Sequence, residues 1–148
     1  MKARFNPVKL APGAYKAMLD LEAYLASSSI EPKLLHLIKL RASQINGCAY
    51  CIDMHSKDAR KGGETEQRLY GVAAWRETPY FTDRERAALA FTESVTLVAD
   101  THVPAGDYAA VAEHFSPDEV GALVALIVAT AQVRSATSCS ERTARTRS

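Results

Sequence analysis

The chain has 148 residues, 18 of them basic and 17 acidic, for a net charge of +1. That length suits one domain able to bury a single core without covalent staples. The balanced charge, with no basic arm ahead of the scattered arginines at the end, argues against a nucleic-acid partner.

Near the start, Asn6, Pro7, Lys9 and Pro12 interrupt any apolar run that an export signal would need, so the expected setting is the cytoplasm. A first helix is expected over about Ala14 to Ala26, with Tyr15, Met18, Leu19, Leu21, Glu22 and Leu25 as its stripe. Pro32 suits the first turn of a second helix, which should stop at Asn46-Gly47 with a left-handed cap. A third then carries Cys48, Cys51 and His55 and should end at Gly62-Gly63, before a short helix over "TEQRLYGVAAW". "TDRERAALAFTESVTLVAD" is the clearest amphipathic segment: Thr82 or Asp83 supplies the cap with Glu85 following, and Ala88, Leu89, Phe91, Thr92, Val95 and Val98 share a face. Helices over "AGDYAAVAEHF" and "SPDEVGALVALIVATAQV" follow, the latter read as buried because it falls short of the ~20 apolar residues of a membrane span. Strand signals are scarce. The expected fold is an all-α single-domain bundle of six to seven helices over residues 1–135, with a Ser-, Thr- and Arg-rich flexible tail over 136–148 that includes Cys139.

The stretch "QINGCAYCIDMHSK" carries the chemistry. At helical spacing Cys48 and Cys51 are neighbours, and His55 lies one turn beyond Cys51 on the same face. The unpaired N–H groups and positive dipole end of a helix N-terminus favour a thiolate, and a neutral His55 can take the Cys51 proton and hold the thiolate as an ion pair. The second cysteine offers a route to a disulfide before over-oxidation. Zinc and chance packing of small buried cysteines are the competing readings. The CxxC spacing behind a glycine stop, with histidine on the same face, argues against chance packing. Closed zinc sites take four ligands, and a second CxxC or histidine pair is missing from the sequence. Covalent haem needs histidine right after the second cysteine, where this chain has Ile52. Neither a metal nor a cofactor is expected.

From about Phe5 to Arg134 the sequence resembles the alkylhydroperoxidase D-like branch of the carboxymuconolactone decarboxylase superfamily, most specifically in "RASQINGCAYCIDMH" and "WRETPYFTDRERAALAFTE". The resemblance implies an all-helical fold, homo-oligomers (trimers or hexamers) and thiol-dependent reduction of hydroperoxides. It makes Cys51 the sulfur that becomes sulfenic acid, Cys48 the partner that closes the disulfide, and His55 a member of the proton relay. The helix dipole alone favours Cys48 as the low-pKa sulfur; the histidine and the resemblance favour Cys51, which we take as the attacking group.

Two relay positions depart from the family pattern. A glutamate expected twelve residues before the first cysteine is His36, and a histidine expected between the cysteines is Tyr50. His36 can still pass protons, Tyr50 can donate to a peroxide oxygen, and Glu93 is a candidate substitute carboxylate, with helix contact, simple packing and a salt bridge as their respective plain roles. The final helix keeps only Arg134 of the family's Asn-Ala-Trp-Asn-Arg-like segment. Trp75, Arg84 and Arg86 read as packing and salt-bridge residues. The expected function is a thiol peroxidase taking a peroxide and an external dithiol or thiol protein as partners, with no membrane partner. A redox-responsive disulfide switch and a lactone decarboxylase-type enzyme are the alternatives.

Overall fold

The computed structural model describes residues 7–137, and the secondary structure there is helical without strands. In chain order the helices are α1 (Pro7–Leu10), α2 (Pro12–Ala26), α3 (Pro32–Ile45), α4 (Ala49–Lys61), α5 (Glu66–Gly71), α6 (Asp83–Thr96), α7 (Val98–Thr101), α8 (Ala105–His114) and α9 (Pro117–Thr137), with a 3-10 segment at Val72–Glu77. The all-α expectation holds, but the described residues form nine α-helices where six to seven were expected.

Local backbone chemistry supplies the two extra helices. Pro12 lacks an N–H and cannot continue α1, so it opens α2 at its first turn, two residues before the expected start. Leu97 leaves helical geometry (φ −102°, ψ 31°) and breaks the long amphipathic segment into α6 and the single turn α7. That break carries Val98 out of the expected apolar face to the surface. At α6 the cap is Thr82, which forms a complete capping box with Glu85, and at α9 Ser116 and Glu119 exchange bonds of 2.8 and 3.3 Å around Pro117.

Helix α3 is central. Its Leu34, Leu35 and Ile38 join a core with Leu25, Phe91, Val111, Leu123 and Leu126, while Leu37 and Leu40 join a second with Leu69, Val72, Trp75 and Leu89. A helix buried on two sides is held rigidly, and α4 packs along it, so the chemistry of α4 rests on a fixed platform. Arg84 reaches Glu119 at 2.9 Å and lies over the Phe115 ring, and Arg86 donates to the carbonyls of Trp75 and Thr78, as expected of packing residues. The last helix is less enclosed than expected: Leu123, Leu126 and Ile127 are buried, but Val124 and Val128 are exposed. It reaches Thr137; the rest of the expected tail, Cys139 included, lies outside the described residues.

Candidate functional site

The turn between α3 and α4 builds the site. Gly47 adopts a left-handed φ of +63°, and the N–H groups of Gly47 and Cys48 donate to the carbonyls of Gln44 and Ser43 at 3.0 and 3.1 Å. This paired pattern is a Schellman cap, and it makes the residue after the glycine the N-cap of the next helix. Cys48 therefore caps α4, its Sγ accepting from the Cys51 N–H at 3.3 Å. The geometry brings the two Cα atoms within 5.3 Å, and the sulfurs are joined as a disulfide.

Both sulfurs are nearly sealed: Cys51 is 1% exposed and Cys48 6%. His55, one turn on from Cys51, is 7% exposed. Burial pushes its pKa down from the ordinary 6.5 to about 4; the Lys39 ammonium adds to the fall, Glu22 and Asp58 oppose it, and His36 adds a smaller depression. His55 is thus a neutral imidazole at neutral pH in the oxidised protein, with a free ring nitrogen lone pair but weakened basicity until a thiolate forms beside it. Asn46, at the end of α3, carries a buried amide nitrogen with no hydrogen-bond partner among the described residues, two residues from Cys48.

The other candidates differ in exposure and in the helix that carries them. Tyr50 is exposed. His36, on α3, packs toward the far end of α4, where a methyl group on Gly62 would lie 3.4 Å from its Cδ2, and it also acts electrostatically on His55. The His36 ring lines a cavity of about 140 Å³ with Leu25, Pro32, Leu35, Lys39 and Leu126, and its Nδ1 is buried without a partner among the described residues. Burial, then Lys39, depress its pKa against the pull of Asp58. Glu93, on α6, accepts from Arg41 Nη2 at 2.7 Å, Trp75 Nε1 at 2.8 Å and Arg76. Burial alone would raise its pKa, but those donors, Arg76 foremost, outweigh it and hold the carboxyl below its ordinary range. Glu93 therefore ties α3, α6 and the 3-10 segment together as a fixed anion.

Sequence reasoning passed over Lys39 and took Glu22 only as a member of the stripe on α2. Their side chains pair across the α2–α3 contact at 2.5 Å and act electrostatically on His55. Lys39 had a signal, because three residues place it on the same face of α3 as His36. Glu22 had none, since its partner lies on another helix.

The sequence model of the carboxymuconolactone decarboxylase family matches residues 12–94, which contain both cysteines and His55. The chain is 45% identical over 127 residues to the uncharacterized protein YdfG of Bacillus subtilis, spanning 86% of each protein. It is 31% identical over 100 residues to the uncharacterized protein YnjA of Escherichia coli, spanning 68% of this chain and 54% of that one. Among solved structures it is similar to ATU0492 of Agrobacterium tumefaciens, a protein of unknown function suggested to be the antioxidant defence protein AhpD, with a TM-score of 0.88, 42% identity and 93% and 94% of the two chains covered. It also shares the fold of the debrominase Bmp8, with a TM-score of 0.74 at 20% identity over 86% of this chain and 68% of that one. With a family match over more than half its length, and both cysteines and His55 inside it, the chain belongs to the carboxymuconolactone decarboxylase family.

Proposed function

We propose that the chain is a cofactor-free thiol peroxidase that reduces organic hydroperoxides or hydrogen peroxide through Cys51 and Cys48. The observation that carries this reading is the Cys48–Cys51 disulfide at the start of α4 with a buried, neutral histidine one turn away. In the reduced protein His55 takes the Cys51 proton, and the thiolate attacks one peroxide oxygen. The O–O bond breaks, sulfur is oxidised to sulfenic acid, and the departing alkoxide takes the proton back from His55. Cys48 then attacks the Cys51 sulfur, releasing water and closing the disulfide, which an external dithiol or thiol protein reduces by exchange. A homo-oligomer, trimer or hexamer, and a cytoplasmic setting belong to the same reading, with His36 and Tyr50 as further members of the relay.

The test is stopped-flow oxidation of the reduced protein by cumene hydroperoxide, with mass spectrometry of the products, on wild type, Cys51→Ser and Cys48→Ser. The expected results are rapid disulfide formation in wild type, a sulfenic acid trapped on Cys51 in Cys48→Ser, and loss of the fast phase in Cys51→Ser. Oxidation of wild type no faster than that of a free thiol removes peroxide as the substrate.

The near-complete burial of both sulfurs favours one further reading, a disulfide switch that toggles without turnover. It predicts disulfide formation under dithiol–disulfide buffers but no peroxide-dependent consumption of reductant. A lactone decarboxylase-type reaction predicts full activity after both cysteines are replaced by serine, since enolate chemistry has no need of a dithiol.

A further inference from the structure

Helices α3 and α4 run antiparallel across the Gly47 turn, and two contacts fix their register. Near the turn the Cys48 N–H donates to Ser43 O, and at the far end His36 meets Gly62. Lys39 falls between these contacts, which sets it beside His55 midway along α4. Its side chain is 17% exposed, and its Nζ pairs at 2.5 Å with Glu22 Oε2 from α2. A third helix thus delivers a carboxylate to the seam that holds the buried base. The ionisable groups acting on His55 are Glu22 from α2, His36 and Lys39 from α3, and Asp58 from its own helix, while α9 lines the neighbouring cavity with the apolar Leu126. Asp58 is half exposed, with Lys61 4.0 Å away; Glu22 is the more enclosed carboxylate and is held by a largely buried partner.

We propose that the Glu22–Lys39 pair is the positioning device of the site, with Glu22 stabilising and Lys39 opposing the imidazolium that forms when His55 takes the proton of Cys51. In that step the Sγ–H bond breaks, the sulfur keeps the electron pair, and the proton moves to a ring nitrogen of His55. Nothing is oxidised, and on top of the burial of His55 the balance between the two charges shifts how much Cys51 thiolate exists before any oxidant arrives. The inference rests on the reading that His55 is the base for Cys51, and not on which oxidant the thiolate meets.

The two members of the pair act with opposite sign, which separates this role from simple support of the fold. The measurement is the rate of Cys51 alkylation by iodoacetamide across pH in the reduced full-length protein, read peptide by peptide by mass spectrometry, on wild type, Glu22→Gln, Lys39→Met and the double variant. Glu22→Gln is expected to slow alkylation at neutral pH by about three- to tenfold, corresponding to roughly half to one pKa unit, with the alkaline limit unchanged. Lys39→Met is expected to speed it, and the double variant to return toward wild type. A purely structural pair gives losses of the same sign from both variants, tracked by melting temperature. That pattern, unchanged profiles, or a shift in only one variant overturns the proposal. Opposite shifts together with sluggish reaction toward cumene hydroperoxide would sustain it while removing the peroxidase reading.

Discussion

The buried imidazole of His55 has a pH signature of its own. Its folded-state pKa of about 4 lies below the 6.5 of the exposed side chain, so the unfolded chain binds the extra proton first as pH falls. The oxidised protein is therefore expected to keep the full contribution of this site above pH ~6.5 and to lose stability between there and pH ~4, by up to about 3 kcal/mol. Urea unfolding across that range measures it, and His55→Gln should flatten the slope; an equal slope in the variant would place the acid sensitivity elsewhere. The Cys48, Cys51 and His55 constellation was legible in the sequence because Cys48 caps the helix that carries Cys51 and His55, where spacing fixes proximity. Glu93 was legible only as a carboxylate. Its three donors come from α3 and the 3-10 segment, and sequence distance says nothing of such encounters.

At the level of the elements, one glycine decides how the redox pair is presented. Gly47 needs its left-handed backbone but has open space around its Cα, so Gly47→Ala is expected to cost about 1–2 kcal/mol by strain alone, without a clash. Gly47→Asn should cost less, because a short polar side chain tolerates that conformation. Denaturant midpoints of the two variants test this, and equal losses would contradict it. The same cap recurs at the end of α4, where Gly63 has φ +83° and the N–H groups of Gly63 and Glu64 donate to Arg60 and Ala59. Helix starts and stops were well marked by proline, glycine and capping boxes. The break at Leu97 was not, because neither proline nor glycine announces it, and an unbroken apolar stripe reads straight through.

Across the whole molecule, α3 binds two cores together while α9 covers one of them and leaves Val124 and Val128 outside. Those two valines lie four residues apart on one strip of α9. If subunits meet along that strip, Val124→Glu and Val128→Glu should reduce the assembly size in sedimentation velocity while leaving the far-ultraviolet helical signal intact, since neither side chain is buried within the chain. An unchanged sedimentation coefficient would show that assembly uses another face. The first helix gives a related lesson. Of its expected stripe only Leu25 is buried and Leu19 is exposed, because a helix at the edge of a bundle meets the core mainly at one end.

Whatever depends on neighbours within one helix, the sequence determined by itself: the all-α class, most helix ends, the left-handed cap at Gly47 that ends α3, and the placing of His55 one turn beyond Cys51. These follow from helical periodicity and backbone chemistry, both short-range. Only the tertiary structure decided that Glu22 from α2 pairs with Lys39 beside His55, that His36 packs at the far end of α4, and that Glu93 is engaged by Arg41, Arg76 and Trp75. It also decided that burial makes His55 a neutral base. Charge pairing and desolvation depend on which helices meet, and that comes from packing whole apolar faces together rather than from the spacing of residues along any one of them.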